Sequence, residues 1–144
     1  MAQYQNNNNT ILIIEKDAHI AYLLDYMLKR EGYQVISTTS CESAGHIMRQ
    51  MIAPAVIFLD LQLSAANNYA LLRTIRSMPG WHITPVLLLA EYYDIKDVDV
   101  ALEAGANDYI VQPFNPAELQ FQIQRHTMWG NEFNKEMTEY RLLQ

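Results

Sequence analysis

Thr10-Ile11-Leu12-Ile13-Ile14-Glu15-Lys16-Asp17 decides the fold: an unbroken run of large apolar residues, mostly β-branched, ends abruptly on three charges. A strand with one wet face alternates apolar and polar residues, whereas a continuous apolar run marks a strand buried on both faces. Four further strand-like runs follow, at Gln34–Thr38, Val56–Leu59, Val86–Leu89 and Tyr109–Val111. Several are nearly continuous in the same way, which points to a parallel sheet covered by helices.

Helical patterns fill the gaps. Ile20, Leu23, Leu24, Met27 and Leu28 share one helix face, and Gly32 stands where a left-handed terminating residue is wanted. Thr39 and Glu42 have capping-box spacing ahead of Ala44, Ile47, Met48 and Met51. Leu71, Leu72 and Ile75 form a third face, and Val98, Ala101 and Leu102 a fourth, closed by Gly105. Asn115-Pro116-Ala117-Glu118 is a helix start, with a cap, a proline in the first position and an acid in the third. Strand then helix, five times over with right-handed crossovers, predicts an α/β fold with a doubly wound, five-stranded parallel sheet.

Composition narrows the function. The 144 residues fit a single domain of about 100–150 residues. Hydrophobic residues make up 50% and charged residues only 18%, which supplies a core and excludes general disorder. The net charge of −6 argues against a nucleic-acid surface, which needs clustered Lys and Arg. A lone cysteine, Cys41, excludes a disulfide framework and a Cys-rich zinc site and reads as an inert buried thiol. Residues 1–9, with Asn6 to Asn9, are expected to be a disordered, solvated arm. They lack the basic-then-apolar pattern of a secretory signal, and no apolar run approaches the roughly 20 residues that span a bilayer. The expectation is a soluble, cytoplasmic domain.

In a doubly wound sheet the functional crevice lies beyond the carboxyl ends of the strands. That directs attention to Glu15-Lys16-Asp17, Thr39-Ser40, Asp60-Leu61-Gln62, Ala90-Glu91 and Gln112-Pro113. Glu15, Lys16 and Asp60 are the strongest constellation. Two carboxylates can hold a hard cation such as Mg²⁺, making Glu15 and Asp60 weak metal candidates, but an adjacent ammonium competes with any cation. The structural reading, Lys16 offsetting converging acids, is favoured. No phosphate loop, dinucleotide fingerprint, nucleophile elbow or His/Cys metal spacing occurs, so ordinary enzyme chemistry finds no support. Asp17 reads as the cap of the first helix.

From Thr10 to about Met128 the chain resembles a response-regulator receiver domain of two-component signalling, in an atypical or pseudo-receiver variant. The resemblance rests on ILIIEKD, VIFLDLQL around Asp60, PVLLLAE after Pro85, and GANDYIVQPF from Gly105. It implies a flavodoxin-like sheet with strand order 2-1-3-4-5. It also implies that Asp60 is the phospho-acceptor position. Glu15 and Lys16 stand at the two acidic positions that hold Mg²⁺, and Gln62 at the residue whose carbonyl joins the metal shell. Ala90 stands at a Thr/Ser switch position, Gln112 at a Lys, and Tyr109 at an aromatic whose rotamer reports phosphorylation. Gln112-Pro113 matches a bond that is usually cis in the family.

The departures change the expectation. With Lys16 for an acid, Ala90 for a hydroxyl and Gln112 for a Lys, a phosphoryl group on Asp60 would carry about −1.5 to −2 charge and meet Glu15 as a repulsive neighbour. Lys16 is expected to salt-bridge Asp60 or Glu15 in place of a metal, so that Lys16→Ala would cost about 3–5 kcal/mol. No cofactor is expected. The alternative is a slow phospho-acceptor that uses Mg²⁺ and takes phosphate on Asp60 from a histidine kinase. Ala90 should leave room for Tyr109 to keep one rotamer. Ser64 and Asn68 replace a proline and a glycine, and Asn tolerates a left-handed backbone. Signalling is expected through a protein partner or homodimer. The surfaces would be the polar 94–128 face and a helical extension or linker at 129–144, where Phe133, Met137 and Tyr140 share one side. Neither direct nucleic-acid nor membrane contact is expected.

Overall fold

The computed structural model describes residues 8–127. It contains β1 (Thr10–Ile14), α1 (Ala18–Arg30), β2 (Gln34–Thr38), α2 (Cys41–Met48), β3 (Val56–Asp60), α3 (Leu61–Ala66), α4 (Ala70–Ser77), β4 (Val86–Ala90), α5 (Ile95–Ala104), β5 (Asp108–Val111) and α6 (Pro116–His126). The strands form one parallel sheet in the order β2-β1-β3-β4-β5. The chain divides after Pro113 into two units, the sheet with α1–α5 and the segment carrying α6. No described helix is long and apolar enough to cross a membrane.

The central strands β1, β3 and β4 are buried throughout except at Thr10, as their unbroken apolar runs require. Leu12, Ile14, Ile57, Leu59, Leu88 and Ala90 face one core with Ala44, Met48, Leu72, Ile75, Val98 and Ala101 from α2, α4 and α5. The alternate residues Ile11, Ile13, Phe58, Leu87 and Leu89 are equally buried, and α1 buries Ala21, Leu24 and Leu28 beside β1 and β2. The 2-1-3-4-5 order places the ends of β1 and β3 next to each other, and it is this adjacency that builds the site.

Local chemistry follows the sequence at most element ends. Asp17 caps α1 by accepting from the backbone N–H of His19 (2.9 Å) and Ile20 (3.4 Å). Gly32, at φ +97°, follows the C-cap Glu31, and Asn115 caps α6 with Pro116 in its first turn. Three local readings are corrected. The cap of α2 is Ser40, not Thr39: its hydroxyl accepts from Ser43 N–H at 3.1 Å, because the helix begins at Cys41 and a cap must directly precede it. A short helix, α3, follows β3 without a connecting residue, capped by Asp60 itself. Cys41 is half-buried rather than enclosed, and burial still raises its thiol pKa.

Asn8 and Asn9 belong to the folded edge, not to a free arm. Their side-chain amides donate to Ala53 O (2.7 Å) and Gly32 O (3.0 Å). The other arm residues, and the proposed extension at 129–144, lie outside the described residues.

Candidate functional site

The carboxyl ends of β1, β3 and β4 enclose a cavity of about 160 Å³ whose polar lining includes Glu15, Lys16, Asp60, Gln62, Asp94 and Gln112. All the polar residues singled out beyond the ends of β1 and β3 therefore converge. Ala90, Tyr109 and Pro113 do not line it. Ala90 and the partly buried Tyr109 belong instead to the core beneath α3–α5, so the small alanine and the ring share one packed cluster. The Gln112–Pro113 peptide is cis.

Asp60 accepts three backbone hydrogen bonds in the cavity. As the last residue of β3 and the cap of α3, it presents Oδ1 to the N–H groups of Gln62 (2.9 Å) and Leu63 (3.3 Å). Its Oδ2 accepts from the backbone N–H of Lys16 at 3.2 Å. The helix start and the β1 loop thus aim three backbone donors at one carboxylate.

Glu15 is buried beside it and accepts from Asp17 N–H at 3.0 Å. Burial, together with a side-chain hydrogen bond to Asp60 and repulsion from Asp60 and Asp17, pushes the Glu15 pKa up to about 8. Ionising Glu15 is disfavoured because it would set a second charge beside Asp60 away from water.

This arrangement corrects the expectation for Lys16. Among the described residues its ammonium forms no ion pair with Asp60 or Glu15; it is exposed and donates to Gln62 Oε1. A long side chain keeps its charge in water where it can. The predicted cost of 3–5 kcal/mol for Lys16→Ala does not apply to an exposed amine, which contributes about 1 kcal/mol or less.

The sequence reading missed Asp94. This buried carboxylate accepts from Gln62 Nε2, which lies 3.3 Å from Oδ1 and 3.2 Å from Oδ2, and from Glu91 N–H at 3.2 Å. The available signal was the three-residue spacing of Glu91 and Asp94, which form a reciprocal capping box around a 3-10 turn at Tyr92–Asp94. Among the described residues no three His, Cys, Asp or Glu side chains are arranged to hold a metal ion.

Residues 11–124 match the model of the response regulator receiver domain. The chain is 34% identical over 113 residues to "Probable transcriptional regulator ycf27" of Porphyridium aerugineum, covering 78% of this chain and 45% of that protein. It is 33% identical over 113 residues to the DNA-binding response regulator MtrA of Mycolicibacterium paratuberculosis, covering 78% and 48%. The chain thus spans about half the length of the curated relatives it matches. Among solved structures it is similar, with TM-score 0.72 and 28% identity, to the receiver domain of the sensor histidine kinase PA1611 from Pseudomonas aeruginosa. That structure has a magnesium ion coordinated in its active-site cleft, and the match covers 82% of this chain and 96% of that one.

Proposed function

The chain belongs to the response regulator receiver domain family of two-component phosphorelay signalling, and on that premise we propose that it is an atypical receiver, working by protein–protein interaction with Mg²⁺-dependent phosphorylation of Asp60 impaired. The observation that carries this reading is Lys16, a cation lining the cavity where the resemblance places an acid, with its ammonium on Gln62.

The donor set does not fit a resident divalent cation. Mg²⁺ requires ionised oxygen ligands in near-octahedral array. Here Lys16 stands at one of the two positions that the resemblance assigns to metal-binding acids, and both oxygens of Asp60 already accept backbone hydrogen bonds. Phosphoryl transfer is chiefly positioning and charge stabilisation. Ala90 offers no hydroxyl and Gln112 no charge where the family resemblance places both, and the Lys16 ammonium is held at Gln62. What persists is the scaffold: the sheet, the acidic cavity and the exposed residues Tyr92, Tyr93, Ile95 and Val100 around the start of α5. We assign signalling to binding of a protein partner through surfaces of this kind, a homodimer being one form.

Incubation with Mg²⁺ and acetyl phosphate, or with beryllofluoride, followed by intact-mass measurement tests the reading. The expected result is an unmodified chain. A stable adduct mapped to Asp60 overturns the reading and establishes the alternative, a slow phospho-acceptor served by a histidine kinase.

A further inference from the structure

One amide crosses the mouth of the acidic cavity. Gln62, the second residue of α3, takes the Lys16 ammonium on Oε1 and offers Nε2 to both oxygens of Asp94. The orientation of that amide is dictated by its neighbours. Reversed, it would set N–H groups against an ammonium and a carbonyl oxygen against a carboxylate, so only one assignment bonds at both ends.

The Asp94 end reaches the surface. Asp94 closes the 3-10 turn that begins with Tyr92 and Tyr93, and its buried carboxylate also holds the Glu91 N–H across that turn. The two tyrosine rings meet edge-on with centroids 5.6 Å apart and are 75% and 57% exposed. Ile95, directly after Asp94, is 47% exposed. A buried carboxylate depends strongly on each donor it has, because an unmet acceptor away from water is costly. The conformation of this apolar surface turn therefore depends on where the Gln62 amide points.

We propose that Gln62 is a positioning residue that couples the acidic cavity to the exposed Tyr92–Tyr93 turn, through its carbonyl on Lys16 and its amide on Asp94. Anything that draws the Lys16 ammonium aside, such as an anionic group entering the cavity, removes the anchor of Oε1. The amide is then free to turn, and Asp94 loses one of its donors. The route bypasses Ala90 and Tyr109, and it stands whether or not Asp60 ever accepts a phosphoryl group.

Hydrogen–deuterium exchange on the full chain tests the coupling, with segments 15–19 and 91–96 as reporters and the amides of β1 and β3 as the fold control. Lys16→Met removes the anchor on the far side of the cavity. It is expected to speed exchange at 91–96 by about tenfold, the scale of one ordinary hydrogen bond, with β1 and β3 unchanged. Gln62→Glu keeps an acceptor for Lys16 but sets a carboxylate against Asp94. It is expected to speed exchange at 91–96 while 15–19 stays protected. Wild-type exchange at 91–96 in Lys16→Met shows that no coupling crosses the cavity, and wild-type exchange there in Gln62→Glu shows that the amide is not the link. Either result overturns the proposal.

Discussion

At the scale of single residues, the chemistry of the site turns on where one proton sits. Burial, and then the neighbouring Asp60, raise the Glu15 pKa to about 8 from the 4.5 of an ordinary glutamate. Between those values the folded state binds more protons than the unfolded chain, so this group makes stability fall as pH rises through the window and leaves it level above. The full effect is at most on the order of 5 kcal/mol. Glu15→Gln preserves the shape and a donor for Asp60 but cannot ionise. Urea unfolding at pH 5.5 and 8.5 is expected to show the loss in the wild type and a much smaller loss in the variant, leaving the variant the more stable protein at pH 8.5. Equal pH slopes would place the Glu15 pKa in the ordinary carboxylate range.

At the scale of elements, the segment between β3 and β4 departs most from the sequence pattern. A single helix was expected on Leu71, Leu72 and Ile75; two helices stand there, α3 and α4, joined through Asn68 and Tyr69 at φ +57° and +61°. Asn68 fits the expectation that asparagine sustains a left-handed turn. Tyr69 was not foreseen: it holds that conformation because its side chain packs against the core, which offsets the local strain. Its neighbour has no such packing role, being exposed. Asn68→Gly is therefore expected to stabilise the fold by about 0.5–1 kcal/mol, read as a higher urea midpoint at unchanged slope. A lower midpoint would mean that the asparagine side chain itself supports the turn.

At the scale of the whole sheet unit, the end opposite the cavity is fastened by one side chain. Arg76 of α4 donates to Gly105 O (2.8 Å), His82 O (3.1 Å), Thr84 O (2.7 Å) and Asn107 Oδ1 (2.7 Å). These acceptors lie just before β4 and β5, and Asn107 Oδ1 also receives Val86 N–H at 2.7 Å. No carboxylate is among these partners; partial burial lowers the guanidinium pKa, and its fork is matched to fixed carbonyls. Arg76→Ala is expected to cost about 3 kcal/mol in chemical denaturation, and Arg76→Lys to restore less than half, since an ammonium cannot reach four acceptors of that geometry. Full rescue by lysine would reduce the role of Arg76 to its charge.

The strands, their burial, and the caps at Asp17 and Asn115 were legible in the chain because they depend on neighbours within a few positions, where periodicity and propensity act directly. The meeting of Glu15 with Asp60 was legible as well, since strand order follows from connection rules and brings two strand ends together. Which partner each polar group takes was decided only in three dimensions. Lys16 lies beside both acids in the chain's logic yet bonds Gln62, and Asp94 joins the cavity from a turn whose spacing suggests nothing more than a helix start. Hydrogen bonds are chosen among competitors by distances of tenths of an ångström and by access to water, and those quantities exist only once the loops from β1, β3 and β4 have been packed around one small space.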